Sequence, residues 1–185
     1  MRRIFLDTEF KNLPWSGHSA MLWVGLADEA GNAWSAINAD VGLDDHVSQF
    51  TRDVVVPRTT ADEPRLSAAD LSEGIRQFCG AVEEFWAWCP TVGVLASAFG
   101  LGDGAGEAHH RYWDWDLQLL QRTVAPWPEG WPTRLNDLHA AARATGVTPP
   151  KNDSAHHPRD DALWNLRLFK LIHRHTSHEP GSLRL

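Results

Sequence analysis

Cysteine is scarce in this sequence, and long apolar segments are missing from it. Its 185 residues include only two cysteines, Cys79 and Cys89. They form no paired Cys motif, so a zinc ribbon, a CxxC redox site and a disulfide scaffold all lose support. Sparse cysteine is typical of a reducing compartment, and the cytoplasm is the expected location. Apolar runs stay far below the roughly 18 residues that a membrane span needs. Because Asp7 interrupts the first apolar residues, we expect no secretory hydrophobic region.

Basic residues are also few relative to acidic ones. The chain has 17 Lys and Arg against 24 Asp and Glu, which gives a formal net charge of −7. This excess of acidic residues argues against a protein that binds nucleic acid mainly through a basic surface. It does not exclude a nucleic-acid enzyme whose acids are neutralised by metal ions. The composition, 43% hydrophobic and 22% charged, is that of a globular protein. We expect one domain over residues 1–175 and a frayed tail over residues 176–185.

Hydrophobic patterning predicts an α/β protein with a mixed sheet. Three short strands are expected over residues 3–10, 20–27 and 33–38. Because connections this short cannot cross over to a parallel neighbour, these strands should form an antiparallel meander. The remaining expectations are a fourth strand within residues 81–88, helices over 46–56, 67–79, 113–123, 133–145 and 158–173, and a mobile loop at the Gly-rich residues 99–107.

Two carboxylates stand at the end of the first predicted strand. Asp7 and Glu9 are separated by a single residue, so in a strand they point to the same face. Carboxylates held this close repel each other unless a cation or a proton neutralises them. A solvated strand end is the alternative interpretation, because a D-x-E pattern alone is a weak signal.

A histidine and an acid mark the start of the last predicted helix. Pro158 suits a first helical position, which places His156 in the preceding loop and Asp161 about one turn into the helix. An acid in a first turn also suits the helix dipole, which accounts for Asp160. The dipole gives no reason for a histidine five residues before Asp161. His157 is the alternative histidine.

A third group of acids opens the helix predicted over residues 113–123. Asp114 and Asp116 flank Trp115 there, and either acid could simply cap the helix. We favour Asp116 as the functional residue, because two leucines follow it at a spacing that would anchor the helix in the core.

Together these groups resemble the DEDDh 3′–5′ exonucleases, a family with an RNase H-like fold. FLDTEF over residues 5–10 is similar to the family's first motif, and HHPRDDA over residues 156–162 to its third. The letters DTEF, with WAW at residues 86–88, resemble a small bacterial exoribonuclease branch. In that branch the second-motif acid follows WAW within a few residues, whereas here about two dozen residues intervene. Asp116 is therefore preferred as this acid, Asp114 is its rival, and Asp103 comes third.

The resemblance implies hydrolysis of phosphodiester bonds by a two-metal-ion mechanism. Two divalent cations, Mg²⁺ or Mn²⁺, would serve the attacking water and the leaving oxygen. Asp7 would bridge the two ions. Glu9 and Asp161 would hold the ion on the nucleophile side, and Asp116 would hold the other. His156 would act as the general base.

The implied partner is the 3′ end of single-stranded nucleic acid, with RNA favoured over DNA by the branch resemblance. Trp15 and Trp115, near the first and second motifs, are candidates to stack on bases. The alternatives are a DNA exonuclease, a catalytically silent binding module with the same fold, and an α/β protein with chance acids. The complete acid set argues against the silent module. Homodimers are common in the family, so the resemblance also suggests a homodimer, and no membrane partner is expected.

Overall fold

A computed structural model describes residues 1–12, 18–89 and 115–178 of the chain. Within these ranges, six strands form one mixed sheet flanked by helices. No helix in the described ranges is both long and apolar enough to cross a membrane. The elements are β1 (Arg3–Phe10), β2 (Met21–Asp28), β3 (Ala33–Asn38), a π-helical turn (Thr51–Val55), a 3-10 turn (Val56–Arg58), β4 (Arg65–Leu66), α1 (Ala68–Cys79), β5 (Glu84–Ala87), α2 (Trp115–Thr123), β6 (Leu135–Asp137), α3 (Leu138–Thr145) and α4 (Pro158–His178).

The sheet has the strand order β4-β3-β2-β1-β5-β6. The first three strands are antiparallel neighbours, which confirms the predicted meander. β5 runs parallel to β1, and β6 runs parallel to β5. The predicted α/β architecture with a mixed sheet is therefore confirmed.

Several elements differ from the sequence prediction. The helix predicted over residues 46–56 is not helical at 46–48, and it consists largely of the π-helical turn Thr51–Val55 and the 3-10 turn Val56–Arg58. Leu135–Asp137 forms β6 instead of a first helical turn, because it pairs with β5. Asp137 then caps α3, accepting a hydrogen bond from the backbone N–H of His139 at 2.8 Å. β4 is a two-residue strand that exists through its pairing with β3. α4 continues to His178, so residues 176–178 are helical rather than frayed. The remaining tail, 179–185, and the Gly-rich residues 99–107 lie outside the described ranges.

β1 is one of the two central strands of the sheet and is buried on both faces. Ile4 and Leu6 pack with α1 and α2, whereas Phe5 packs with α3 and α4. All three side chains are 0% exposed. Because side chains alternate along a strand, Asp7 and Glu9 lie on the same face as Phe5, beneath the start of α4.

Gly25 in β2 allows the start of α4 to lie directly on the sheet. A Cβ atom at this position would stand 2.0 Å from the carbonyl carbon of Pro158. Gly25 also pairs with Asp7 in the register of β1 and β2. This close approach therefore brings the first turn of α4 to the acids of β1.

We expect Gly25→Ala to destabilise the protein, because the clash is with backbone and no side-chain rotation relieves it. Overpacking of this kind costs about 1–3 kcal/mol, which for a chain of this size lowers Tm by roughly 2–12 °C. Thermal unfolding followed by circular dichroism measures the change. Gly42→Ala is the control, because a Cβ there meets nothing within 4 Å. An unchanged Tm for Gly25→Ala would contradict this packing.

Candidate metal centre

The carboxylates of Asp7, Glu9 and Asp161 converge at the end of β1. One ligand oxygen from each lies within 4.8 Å of the others, and we call these three residues the carboxylate cluster. Glu9 and Asp161 are buried, with 7% and 8% of their surface exposed, and Asp7 is half-buried. The strand face supplies two of the acids and the first turn of α4 supplies the third. The structure thus brings together three of the four acids that the sequence analysis expected to meet.

Asp161 is held in place by the loop that precedes α4. The side-chain amide of Asn152 donates a hydrogen bond to Oδ1. The backbone N–H of His156 donates to Oδ2 at 2.7 Å. The orientation of Asp161 is therefore coupled to the conformation of the loop that carries the candidate base.

Burial and mutual repulsion oppose ionisation of the carboxylate cluster. Burial is the largest cause that raises the pKa of Asp7 well above its usual value, and the neighbouring acids raise it further. Burial also raises the pKa of Glu9 and of Asp161. A bound cation would relieve this repulsion, and hard carboxylate oxygens are the ligands that Mg²⁺ and Mn²⁺ prefer. The donor set therefore fits a divalent metal site.

Asp116 adjoins the cluster from the first turn of α2. β1 pairs with β5 only over residues 3–5 and continues to Phe10 beyond that pairing. Asp116 contacts this continuation of β1 at Thr8. Its Oδ1 accepts hydrogen bonds from the backbone N–H of Thr8 at 2.9 Å and from the Thr8 hydroxyl at 2.6 Å. Burial raises the pKa of Asp116 to about 6. Its rivals Asp114 and Asp103 lie outside the described residues, so the assignment of the second-motif acid stays a prediction.

The two adjacent histidines before α4 point to different partners. His156 has a φ of 69°, a left-handed conformation that is uncommon outside glycine. Its Nδ1 lies 3.2 Å from Oε1 of Glu9, and its ring packs edge-on against Phe50. The hydrogen bond with Glu9 is the main cause that raises the pKa of His156. His157 instead lies 3.4 Å from Glu63. Of the two, His156 is the histidine at the carboxylate cluster.

Trp115 is buried in the structure, which corrects the expectation that it is open to a nucleic-acid base. Only 9% of its surface is exposed, and its ring packs edge-on against Phe10 with centroids 6.1 Å apart. Because stacking needs an accessible ring face, this burial argues against the stacking role. Trp15, the other candidate, lies outside the part of the chain that the structure describes.

The sequence analysis missed three residues that shape the site: Gly25, Phe50 and Asn152. A glycine inside an apolar strand often marks a close backbone approach, and that signal would have singled out Gly25. Phe50 and Asn152 have no comparable local signal. Phe50 lies far from His156 in the sequence, and the contact of Asn152 with Asp161 depends on how the loop before α4 folds.

Similar folds occur among solved structures, although no family model and no curated protein sequence matches this chain. The S. pombe Pop2p structure in its Mg²⁺ and Mn²⁺ bound form is similar over 98% of this chain and 85% of that one, with a TM-score of 0.53 and 14% identity. The RNase domain of yeast Pop2 is similar over 97% and 79%, with a TM-score of 0.52 and 10% identity. The chain has the fold of the Pop2 RNase domains. The predicted RNase H-like fold is thereby confirmed, while the bacterial branch stays a prediction.

Proposed function

We propose that this protein is a metal-dependent 3′–5′ exonuclease that hydrolyses single-stranded RNA. The observation that carries the proposal is the convergence of Asp7, Glu9 and Asp161, with His156 beside them. Metal-bound Pop2p and the Pop2 RNase domain, which share the fold, support metal-dependent nuclease chemistry and favour RNA as the substrate. A DNA exonuclease and a silent binding module remain the alternatives.

The acids are proposed to hold two divalent cations, Mg²⁺ or Mn²⁺. Asp7 would bridge them, since the charges of the other three acids all act on its carboxylate. Glu9 and Asp161 would hold the ion on the nucleophile side, and Asp116 the other. When bound, such ions activate a water molecule and stabilise the leaving oxygen of a phosphodiester.

His156 is proposed to accept the proton of the attacking water. Its side chain is 39% exposed, so the ring is accessible to a nucleophile that enters from solvent. Glu9 raises the pKa of His156, and a cation on Glu9 would offset that negative charge. The imidazole would then be neutral near neutral pH, as a general base requires.

Incubation with 3′- and 5′-labelled single-stranded RNA and DNA, in Mn²⁺ or in EDTA, tests the proposal. We expect 5′-labelled RNA to shorten stepwise in Mn²⁺ and to stay intact in EDTA. Faster shortening of DNA would favour the DNA exonuclease, and binding without cleavage would favour the silent module. Gel filtration of the same preparation tests the homodimer.

Mn²⁺ is expected to raise Tm, and to raise it more at pH 8 than at pH 5. A ligand at 100 times its Kd stabilises the folded state by about 2.7 kcal/mol, which corresponds to roughly 5–11 °C for a chain of this size. The raised carboxyl pKa values, about 6 for Asp116, mean that protons compete with the cation at pH 5. Without metal, the protonated carboxyl groups stabilise the folded state, and this stabilisation is lost as pH rises through their folded-state pKa values. A bound cation then replaces the proton and restores the lost stability.

Differential scanning fluorimetry with and without Mn²⁺ at both pH values measures this effect. Na⁺ at matched ionic strength is the control, because a monovalent ion should not reproduce the shift. The absence of a shift at pH 8, or an equal shift at both pH values, would contradict a metal site built on these acids.

A further inference from the structure

The imidazole of His157 is directed at residues outside the carboxylate cluster. Its ring packs edge-on against Trp23, with centroids 4.6 Å apart, and its Nε2 lies 3.4 Å from Oε1 of Glu63. Only 19% of the side chain is exposed. These contacts give the imidazole a defined place beside Trp23, the cross-strand neighbour of Glu9, without directing it at the acids that are proposed to bind metal.

Glu63 is itself anchored to the sheet. Its other carboxylate oxygen accepts a hydrogen bond from the hydroxyl of Ser35 at 2.8 Å, and its side chain is 9% exposed. Ser35 pairs with Gly25, and Gly25 pairs with Asp7. One row of residues therefore crosses the sheet beneath the start of α4. Asp7 of the carboxylate cluster lies at one end of this row, and Ser35, which holds Glu63, lies at the other.

The turn before α4 joins the two ends of this row. His156 occupies the left-handed region, with φ 69°, and a non-glycine residue persists there only when its surroundings hold it. Its backbone N–H donates to Asp161. The next backbone N–H, that of His157, donates to the carbonyl of Ser154 at 3.2 Å. The side chain of His157 is the part of this turn that reaches the β3 side of the sheet.

We infer that His157, held by Glu63 and Trp23, is a positioning residue for His156. The anchor fixes the turn so that the neighbouring imidazole is directed at the carboxylate cluster. This inference rests on the proposed function, because it gives His157 a role in aligning the general base. The imidazole of His157 is directed at Glu63 and Trp23, and only its backbone carbonyl meets a cluster residue, accepting the N–H of Asp161 at 2.9 Å. Its role is therefore distinct from proton transfer.

The contacts of His157 do not form a second metal site. Within residues 1–12, 18–89 and 115–178, ligand atoms of three or more such residues converge only at the carboxylate cluster. His157 presents Nε2 to Glu63 and Nδ1 to Asp160, at 3.4 and 3.8 Å, so the two acids meet different atoms of the ring. Glu63, Ser35 and His157 line an open surface cavity of about 510 Å³, so shortening Glu63 would widen this cavity and would leave no enclosed void in the core.

A double-mutant cycle tests the inference. Glu63→Ala should lower kcat about 10- to 100-fold, the scale of a misplacement of about 1 Å, with KM for RNA and Mn²⁺ affinity unchanged. Glu63→Gln keeps one oxygen and should retain most of the rate. In a His156→Ala background, Glu63→Ala should lower the rate no further, because the residue that it positions is gone. Asp62→Asn alters a neighbouring acid of the same cavity and should have no effect.

Either of two results would overturn the inference. An equal loss in both backgrounds would show that Glu63 supports the fold in general, and a wild-type kcat for Glu63→Ala would show that no anchor is needed. Ser35→Ala is a second variant that removes the hydroxyl holding Glu63, and it should lower kcat in the same direction by a smaller factor.

NMR of the His156 imidazole separates failure of this inference from failure of the proposed function. The ring signals are assigned by their loss in His156→Ala. Glu63→Ala should shift or broaden them, whereas Asp62→Asn should leave them unchanged. Unchanged signals in Glu63→Ala would reject positioning even in an active nuclease. If Glu63→Ala shifts the signals but the wild-type protein cleaves no nucleic acid, the result supports the anchor and rejects the nuclease.

Discussion

Asp7→Asn is expected to abolish nuclease activity and metal-dependent stabilisation together. The substitution preserves the size of the side chain and removes the charge that is proposed to bridge both cations. Loss of one transition-state hydrogen-bond donor costs about 10²–10³-fold in rate, and loss of both ions should exceed that. Initial rates on 5′-labelled RNA in Mn²⁺ measure the first effect, and the Mn²⁺-dependent change in Tm measures the second.

Without metal, the same substitution is expected to stabilise the protein at pH 8. Burial and the neighbouring acids raise the pKa of Asp7 well above its usual value, so the folded state favours its protonated form. Stability from this group is present at low pH and is lost as pH rises through the folded-state pKa. Asparagine cannot ionise and avoids this loss.

Melting in EDTA at pH 5 and pH 8 tests this part of the prediction. Asp7→Asn should exceed the wild type in Tm at pH 8, and the difference should shrink at pH 5. Asp53→Asn, which changes an exposed acid on the Thr51–Val55 turn, is the control and should alter neither Tm nor activity. If Asp7→Asn melts below the wild type in EDTA at pH 8, the result would contradict electrostatic repulsion among the carboxylates of the cluster.

Local patterns were enough to predict the strand that carries the site. The apolar residues before Asp7 predict a buried strand, and the period of two then puts Asp7 and Glu9 on one face. Pro158 indicates the first position of α4, which places Asp161 in the first turn of the helix. Each of these inferences depends on neighbours in sequence, and the structure agrees with each.

Contacts between distant segments were not predictable in the same way. The strand at residues 135–137 exists because β5 lies beside it, and its own residues show no strand alternation. The approach of Gly25 to Pro158 depends on the sheet register and on the placement of α4 at once. The choice between His156 and His157 depends on Glu63 and Glu9, which come from separate parts of the chain.

His156→Ala is expected to lower kcat by about 10²–10⁴-fold, the usual contribution of a general base. Mn²⁺ affinity should stay nearly unchanged, because carboxylates and not the imidazole are proposed to hold the ions. Single-turnover rates on RNA measure the chemical step, and the Mn²⁺-dependent Tm measures binding. His157→Ala is the matched comparison, since it removes the adjacent imidazole and should cost less.

The pH profile separates the base from the residue that positions it. A base must be neutral to accept a proton, so kcat should fall as pH drops below the pKa of His156 in the enzyme–substrate complex. Glu9 raises that pKa in the metal-free protein, and a cation on Glu9 should bring it back toward its usual value. With Mn²⁺ saturating at every pH, so that protonation of the carboxylates does not limit metal binding, His156→Ala should lose this acidic limb, whereas His157→Ala should keep it at a lower rate. Full activity with an unchanged profile in His156→Ala, together with an inactive His157→Ala, would transfer the role of base to His157.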